Sequence, residues 1–246
     1  MLHRPEALNA WTRRLGEDML AALDRAAGDE QVRVVVFTGA GRAFSSGADL
    51  KGGAEMGPDG KLDVLSQLRE AYNPLIARVR SLPKPVIAKV NGPAVGIGCS
   101  LALAADLIVA AESAYFLLAF VNIGLGLDGG ASLTLPLRAG HTRALEMALL
   151  GDRIPARRAL QWGLVNRVVP DQELDAAVAA LAGRLAAASP GALATIKETV
   201  NRALYGRLLE VLDVEAVLQQ ERVTSADFLE AVAAFMEGRP TRFKGA

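Results

Sequence analysis

Apolar residues at helical spacing mark the first predicted element near the N-terminus. The members of this stripe are Leu15, Met19, Leu23 and Ala26. Asn9 precedes the stripe and is a residue type that favours helix N-caps, and Gly28 follows it, so we predict a helix between these two residues. A second amphipathic stripe extends over residues 62–82 and contains Pro74, which lacks the N–H donor that a helix interior needs. We expect Pro74 to kink this helix or divide it.

Two segments rich in β-branched residues are predicted to be strands. VRVVVF (residues 32–37) is β-branched on both faces, as in a strand that is covered on both sides, and PVIAKV (residues 85–90) is a similar segment. Each strand leads into a glycine-rich loop, TGAGRAFSSGADLKGG in the first case and NGPAVGIG in the second, and then into a predicted helix. The second of these helices, CSLALAA, ends at Asp106 before a further strand, DLIVAA. This repetition predicts a layered α/β core with parallel strand pairing.

Beyond Gly129 the pattern changes to helix. We predict helices in HTRALEMALLG and in PARRALQWG, and three longer ones over residues 171–188, 191–205 and 208–236. The chain then divides into an α/β core, residues 1–190, and a C-terminal helical region, residues 191–246. The C-terminal region has more apolar positions than an isolated pair of helices needs. We therefore expect it to pack on the core or on another subunit.

Composition limits the partners of the protein. Lys plus Arg and Asp plus Glu number 27 each, which gives no electrostatic footprint for nucleic acid or for an anionic membrane. The longest apolar run, LALAADLIVAAESAYFLLAFV, contains Asp106 and Glu112 and is better explained as buried core than as a membrane span. The single cysteine, Cys99, excludes an internal disulfide framework and is predicted to be a packing residue. Because the segment MLHRPEALNAW lacks the apolar region of a secretory signal, we predict a cytoplasmic protein.

The two glycine-rich loops are the first candidates for chemistry. Each is predicted to follow a strand and open a helix, where unpaired N–H donors and the helix dipole favour negative charge. Neither loop matches the G-x-x-x-x-G-K-[ST] or G-x-G-x-x-G patterns of nucleotide-binding proteins. The loops could form tight turns only, or an oxyanion hole in which one N–H from each loop holds an oxygen whose charge develops during reaction. On the residues alone, tight turns are the simpler interpretation.

Several motifs together resemble one protein family. They are RPEALNA (residues 4–10), VRVVVFTGAGRAFSSGADLK (32–51), LPKPVIAKVNGPAVGIGCSLALAADLIVA (82–110), LEMALLGDRI (145–154), ALQWGLVNRVV (159–169) and a closing FKG. In this combination the chain is similar to the crotonase, or enoyl-CoA hydratase/isomerase, superfamily. The resemblance implies a spiral of ββα units with a C-terminal helical region that assembles as trimers or pairs of trimers. It also implies an acyl-CoA thioester as substrate, with coenzyme A as part of that substrate and no metal or other cofactor.

The resemblance also implies where the thioester would bind. Its oxygen would lie between the backbone N–H groups of Ala48, in S-G-A-D, and Ile97, in V-G-I-G. The family usually has glycine at the second position, so the Ile97 side chain would narrow the acyl pocket. The other residues implied in acyl or coenzyme A binding are Arg4, Ala7, Gly47, Asp49, Leu50, Lys51, Gly98, Ser100, Phe120 and Lys244. Lys51 would meet a phosphate and Lys244 would come from a neighbouring subunit, although a solvated charge is the simpler interpretation of each lysine; Asp49 could instead tie down its loop.

The reaction depends on the acids. Hydratases of this family resemble one another in two glutamates that hold a water, and the matching positions here are Ser100 and Phe120, which we expect to line the acyl pocket. Asp128, in G-L-G-L-D-G-G, matches an aspartate of the superfamily's isomerases, including dienoyl-CoA isomerases and the ring-epoxide isomerases of phenylacetate breakdown. Moving a double bond needs a base that takes a proton from C2 and returns one at C4. A single carboxylate in an apolar pocket can do both, because burial raises its pKa.

Two alternatives remain at this point. Asp128 could cap a helix that begins near Gly129, a role for which aspartate is well suited. For the whole protein, the alternatives are a hydratase that recruits another acid and a catalytically silent acyl-CoA-binding subunit. The leading prediction is an acyl-CoA isomerase in which Asp128 shuttles the proton while Ala48 and Ile97 donate hydrogen bonds to the thioester oxygen.

Overall fold

The structure is a computed structural model, and it describes residues 1–50, 56–58 and 60–245. The strands in these residues are β1 (Val35–Phe37), β2 (Val86–Val90), β3 (Ala94–Val95), β4 (Leu107–Ala111), β5 (Tyr115–Leu117), β6 (Ile154–Pro155) and β7 (Arg167–Val169). One sheet has the order β1-β2-β4-β7 with parallel pairing throughout. The other has the order β3-β5-β6, in which β5 is parallel to β3 and antiparallel to β6. The prediction of an α/β core with parallel pairing is confirmed.

The central strands come from the most apolar predicted segments. β2 and β4, both predicted as strands, are almost fully buried, and they pair with Ile87 opposite Leu107. β1 is shorter than predicted. Val35 and Val36 are only partly buried, because the strand lies at the edge of the sheet, whereas Phe37 is buried. The strands β6 and β7 were not predicted, since the whole region beyond Gly129 was expected to be helical. β7 has three residues and is held by pairing with β4.

The helices in the described residues are α1 (Arg13–Gly28), α2 (Val64–Gln67), α3 (Asn73–Ser81), α4 (Ile97–Ala104), α5 (Ala131–Ala139), α6 (His141–Leu150), α7 (Ala156–Trp162), α8 (Leu174–Ala186), α9 (Pro190–Leu204), α10 (Leu208–Val223) and α11 (Ala226–Glu237). The N-cap of α1 is Thr12, whose hydroxyl accepts a hydrogen bond from the N–H of Leu15 at 3.2 Å. The prediction of Asn9 as N-cap is wrong. Asn9 is buried in a left-handed conformation, and its side chain donates to the carbonyl groups of Ala40 and Ala43.

Pro74 divides the second predicted helix, as expected. α2 ends at Gln67, a π-helical turn extends over Leu68–Tyr72, and α3 begins at Asn73 with Pro74 in its first turn. The first turn of a helix tolerates proline because its N–H groups have no partner within the helix. The wider π turn ends at Tyr72, two residues before Pro74, which cannot donate a backbone hydrogen bond.

α4 follows the second glycine-rich loop and is buried along its whole length. Its C-terminal carbonyl groups accept hydrogen bonds from two guanidinium groups. Arg138 donates to Leu103 at 2.9 Å and also to Ala105, and Arg80 donates to Ala104 at 3.0 Å. Cations at this end satisfy the unpaired carbonyl groups and complement the helix dipole.

Asp106 joins α4, the central sheet and the C-terminal helices. Its carboxylate accepts a hydrogen bond from the N–H of Val86 at 2.8 Å and forms ion pairs with Arg80 at 3.0 Å and Lys197 at 2.8 Å. Lys197 belongs to α9 and is also within hydrogen-bond distance of the carbonyl group of Val79. Asp106 therefore ties the end of α4 to the sheet and to α9.

The C-terminal helices pack on the core. α10 contributes Leu208, Leu212 and Ala216 to the same buried cluster as the strands, which confirms that part of the prediction. Other apolar residues of α9 and α10 are exposed in the single chain: Ile196, Val200, Leu204, Leu209, Val214 and Leu218. The division of the chain at residue 190 and a role of residues 191–246 in assembly stay predictions.

The last helices are shorter than predicted. The segment 208–236 is two helices, because α10 ends at Val223 and Ser225 caps α11 by accepting a hydrogen bond from the N–H of Phe228 at 3.2 Å. In the described ranges, no single helix has the length and apolar character needed to cross a membrane. The segments Asp171–Ala186 and Pro190–Leu204 meet those criteria only as a pair, with a bend of 103° between them.

Candidate active site

The two glycine-rich loops lie side by side. Ser45 in the first loop donates its N–H to Pro93 at 3.0 Å and accepts a hydrogen bond from the N–H of Val95 at 2.9 Å. Gly47 has a φ of +94°, and a Cβ atom there would lie 3.2 Å from the carbonyl oxygen of Val95. The close approach therefore requires glycine. Up to Leu50 the first loop contains no helix, and the residues directly after its predicted end at residue 53 lie outside the described residues.

The N–H groups of Ala48 and Ile97 have no hydrogen-bond acceptor among the described residues. Ala48 forms a parallel bridge with Trp11, in which Trp11 donates to the carbonyl of Gly47 at 2.8 Å and accepts from the N–H of Asp49 at 2.9 Å. In this pattern the hydrogen bonds to Trp11 come from the residues on either side of Ala48, so the N–H of Ala48 points away from Trp11. Ile97 is the first residue of α4, so its N–H has no acceptor within the helix. Neither N–H donates to a described residue outside its own helix or strand; their oxyanion role stays a prediction.

Asp128 is buried in the turn that precedes α5, with 8% of its surface exposed. Gln219 donates from Nε2 to Oδ2 of Asp128 at 3.1 Å, whereas Oδ1 has no hydrogen-bond partner among the described residues. Burial, reinforced by the nearby charge of Glu215, raises the pKa of Asp128 to about 8, and the hydrogen bond from Gln219 opposes this shift. A carboxyl group with such a pKa can both accept and donate a proton near neutral pH.

A helix-capping role for the Asp128 side chain is wrong. α5 begins at Ala131, and its N-cap is Gly130, which has no side chain that could cap the helix. The carboxylate of Glu215, from α10, accepts hydrogen bonds from the N–H of Gly130 at 2.7 Å and the N–H of Ser132 at 2.9 Å. Glu215 thus satisfies the orphan donors of α5, and the carboxyl group of Asp128 is not needed there.

The turn that carries Asp128 rests on the first turn of α4. The hydroxyl of Ser100 donates to the carbonyl oxygen of Asp128 at 2.9 Å, and Ser100 is fully buried. A Cβ atom on Gly129 would lie 2.5 Å from Cδ1 of Ile97 and 2.8 Å from Cβ of Ser100. The second loop, Ser100 and Asp128 therefore form one packed unit, as the predicted site requires.

Phe120 and Gly98 complete the surroundings of the second loop. Phe120 is 6% exposed, and its ring lies 3.9 Å from the position that a Cβ atom on Gly96 would take. Gly98 faces the first loop, because a Cβ atom there would lie 2.5 Å from Cβ of Ser45. Gly98 thereby sets how closely α4 approaches the first loop.

Arg4 and Asp49 connect the N-terminal motif to the first loop. Arg4 forms an ion pair with Asp49 at 2.9 Å, and the same Nη1 atom donates to the carbonyl of Ala10 at 2.7 Å. Ala7 accepts a hydrogen bond from the hydroxyl of Ser46 at 3.2 Å. These contacts tie the loop down, which was the alternative considered for Asp49.

Of the two lysines predicted to bind coenzyme A, only Lys244 lies within the described residues. Lys51 follows Leu50 and lies outside the described residues. Lys244 is exposed beyond α11, and its backbone N–H donates to Asp227 at 2.7 Å. Asp227 packs against Gly124, four residues before Asp128. Binding of coenzyme A by either lysine stays a prediction.

Sequence reasoning missed Glu215 and Gln219. Both occupy the buried face of α10 together with Leu212, Ala216 and Val223. Their positions follow the helical spacing of that apolar face, and buried polar side chains on such a face require a specific partner. The sequence therefore indicated that these two side chains need partners. The partner of Gln219 is Asp128 and those of Glu215 are Gly130 and Ser132, all more than eighty residues away, so spacing could not identify them.

Other candidate groups carry no comparable chemistry. Burial raises the pKa of the Cys99 thiol to about 12, in keeping with its predicted packing role. No group of three or more His, Cys, Asp or Glu side chains in the described part of the chain could hold a metal ion.

Comparisons with known proteins agree with this geometry. The family model for enoyl-CoA hydratase/isomerase matches residues 1–246. The chain is 44% identical over 244 residues to "Probable enoyl-CoA hydratase" of Rhodobacter capsulatus, covering 99% of this chain and 93% of that protein. It is 39% identical over 245 residues to 1,2-epoxyphenylacetyl-CoA isomerase of Escherichia coli K12, with the same coverage of 99% and 93%. A crystal structure of an enoyl-CoA hydratase from Mycobacterium avium subsp. paratuberculosis K-10 superposes with a TM-score of 0.88 at 39% identity, covering 98% of this chain and 92% of that one. The chain therefore belongs to the enoyl-CoA hydratase/isomerase family of the crotonase superfamily.

Proposed function

We propose that this protein is an acyl-CoA isomerase that moves a double bond relative to the thioester, with Asp128 as its single acid/base. The observation that carries the proposal is the state of the Asp128 carboxyl group. It is buried, its pKa is raised to about 8, and its Oδ1 atom has no partner among the described residues. Groups that transfer protons in enzymes need a pKa near the working pH and an atom free to accept the proton.

The proposed reaction uses both glycine-rich loops. The thioester oxygen accepts hydrogen bonds from the N–H groups of Ala48 and Ile97, each contributing roughly 3 kcal/mol to stabilising the enolate. The carboxylate of Asp128 removes a proton from C2, and the electron pair of that C–H bond delocalises onto the thioester oxygen. The protonated Asp128 then returns a proton at C4, so the double bond moves to C2–C3 and the carboxylate is regenerated. No group beyond the substrate's own coenzyme A takes part.

Hydratase activity is the second candidate function, because the R. capsulatus relative carries that name. A hydratase mechanism with two acids would need a partner for Asp128, since the family positions hold Ser100 and Phe120. Glu215 is the acid whose charge acts on Asp128. Its two oxygens already accept three hydrogen bonds from Gly130 and Ser132, which leaves about one of the roughly four acceptor sites of a carboxylate for a water. This engagement favours the isomerase, and so does the name of the E. coli relative.

Substrate binding and assembly form part of the same proposal. The coenzyme A moiety contacts the Arg4–Ala7 segment and the residues that follow Ala48, with Lys51 and Lys244 as phosphate partners. The exposed apolar side chains of α9 and α10, such as Ile196 and Val200, become buried between subunits of a homotrimer or a dimer of trimers.

Turnover of two substrates tests the proposal. The parent protein and the variant Asp128→Asn are assayed with a 3-enoyl-CoA and with a 2-enoyl-CoA, and Asp18→Asn, an exposed aspartate on α1, is the matched control. We expect isomerisation by the parent and by Asp18→Asn, and a loss of about 10²- to 10⁴-fold in Asp128→Asn. Isomerisation that survives in Asp128→Asn contradicts the role of this residue. Hydration by the parent identifies a hydratase, and no turnover of any acyl-CoA identifies a silent binding subunit.

A further inference from the structure

We propose that Gln219 and Glu215 of α10 are positioning residues for Asp128, and that together they reserve its Oδ1 atom for proton transfer. The proposal rests on the proposed function, because it names the atom and the supports of the same acid/base. It assigns to the C-terminal helical region a direct part in the chemistry, in addition to any part in assembly.

Gln219 fixes the orientation of the Asp128 carboxyl group. Its Nε2 donates to Oδ2 of Asp128 at 3.1 Å, and its Oε1 accepts a hydrogen bond from the N–H of Gly126 at 3.0 Å. The N–H of Gly126 can only donate, so the amide must place its oxygen there and its nitrogen toward Asp128. Oδ2 is therefore held as an acceptor in both protonation states, and the exchangeable proton is left to Oδ1.

Glu215 holds the turn that carries Asp128. Its carboxylate accepts hydrogen bonds from the N–H of Gly130 at 2.7 Å, the N–H of Ser132 at 2.9 Å and the hydroxyl of Ser132 at 2.6 Å. Three donors on two oxygens favour the ionised form of Glu215, although burial raises its pKa. In this proposal Glu215 supports the turn as a carboxylate, and Asp128 alone exchanges the proton.

The surroundings of Asp128 contain one charged neighbour in the described residues. Ile97 and Ser100 of α4 pack against its turn and are uncharged, and so is Gly126 of the loop. On α10, Gln219 is neutral and Glu215 alone acts on Asp128 through its charge. Gln219 and Glu215 thus act on the proton affinity of Asp128 in opposite directions.

α10 is itself anchored at several points, which makes it a suitable support. The carbonyl group of Leu212 accepts a hydrogen bond from the side chain of Asn73 at 2.9 Å. Gln220, next to Gln219, accepts from the N–H groups of Val64 and Leu65 and donates to Leu62 at 2.8 Å. These bonds fix the helix along and about its axis, so Gln219 reaches Asp128 from a fixed point.

The experiment compares Gln219→Met with Gln161→Met, at an exposed glutamine of α7. Both replace a glutamine by a side chain of similar length without hydrogen bonds, but only Gln219 contacts Asp128. The proton on Asp128 is followed by infrared spectroscopy of the free protein, as the protonated-carboxyl band that Asp128→Asn lacks. Turnover of 3-enoyl-CoA is measured over the same pH range.

We expect the Asp128 band in Gln219→Met to titrate at higher pH than in the parent, because a bond that favours the carboxylate is lost. The kcat should fall about 10- to 100-fold with little change in KM, since the carboxyl group is no longer aligned. In Glu215→Gln the band should titrate at lower pH, because the like charge is removed. Gln161→Met should titrate like the parent, and Gln219→Asn, which is too short to reach Oδ2, should resemble Gln219→Met.

The spectroscopic result is independent of the reaction. An unchanged titration in Gln219→Met, or an equal shift in Gln161→Met, overturns the positioning role. Shifts of opposite sign in Gln219→Met and Glu215→Gln support it even when the parent turns over no enoyl-CoA, in which case the proposed function alone fails.

Discussion

Gly129 lies directly against Ile97, so that a Cβ atom on Gly129 would come within 2.5 Å of Cδ1 of Ile97. Gly129 follows the candidate acid/base, and Ile97 carries one of the two N–H groups that would meet the thioester oxygen. The spacing between the carboxyl group of Asp128 and the N–H of Ile97 is therefore set by the packing of Gly129 on Ile97.

A side chain at Gly129 should separate the acid from the donor. Gly129 has a φ of +63°, which other residues adopt with strain, and the added methyl group of Gly129→Ala would also meet Ser100. We expect kcat/KM to fall at least about 10-fold and the free energy of unfolding to fall by about 1 to 3 kcal/mol. Urea unfolding and turnover of 3-enoyl-CoA measure the two effects.

Gly183 in α8 provides the control for this substitution. A Cβ atom there would have no neighbour within 4 Å, so Gly183→Ala should raise the free energy of unfolding by about 0.5 to 1 kcal/mol without changing turnover. Equal behaviour of the two alanine variants would contradict the packing argument.

Asp128→Asn should be more stable than the parent, and increasingly so as the pH rises. The folded protein keeps the proton on Asp128 up to a pH of about 8, whereas an unfolded chain releases it near pH 4. Between these values the folded state binds more protons, so the contribution of Asp128 to stability decreases as pH rises. Asparagine does not ionise and escapes this loss.

Urea unfolding of the parent and Asp128→Asn at pH 5, 6, 7 and 8 measures the difference. We expect the advantage of the variant to grow by about 1 kcal/mol for each pH unit. A difference that does not depend on pH would show that Asp128 is ionised in the folded protein at all of these values. The exposed aspartate variant Asp18→Asn should follow the parent throughout.

Arg138 should be important for stability, although it lies at the end of α4 away from the site. Arg138→Met removes the donors to Leu103 and Ala105 and leaves buried carbonyl groups unpaired. We expect a loss of about 2 to 4 kcal/mol in the free energy of unfolding. Arg157→Met, which breaks only an exposed ion pair with Glu112, should cost less than about 1 kcal/mol. Thermal or urea unfolding distinguishes the two, and similar losses would contradict the capping role of Arg138.

The sequence predicted the parts of the fold that depend on local pattern. β2, β4 and α4 follow from uninterrupted apolar runs, and the division at Pro74 follows from a missing donor. The approximate position of Asp128 beside the second loop also followed, because the motifs of the family are themselves local.

Features that depend on distant residues could not be predicted. Asn9 has the composition of an N-cap, but its buried contacts with Ala40 and Ala43 hold it in a left-handed conformation instead. β7 is too short to show a pattern and exists through pairing with β4. Glu215 takes the capping role that was the alternative for Asp128, from more than eighty residues away, which no spacing rule anticipates.

The two proposals give α10 both a part in subunit assembly and the support of Asp128. A chimera that exchanges the C-terminal helices of this protein with those of a relative, with the aim of changing how subunits associate, would also exchange Glu215 and Gln219. Such a protein would combine the residues at positions 215 and 219 of the relative with Asp128 of this protein. Compatibility at these two positions is therefore a condition for recombining members of this family, even where the glycine-rich loops are left untouched.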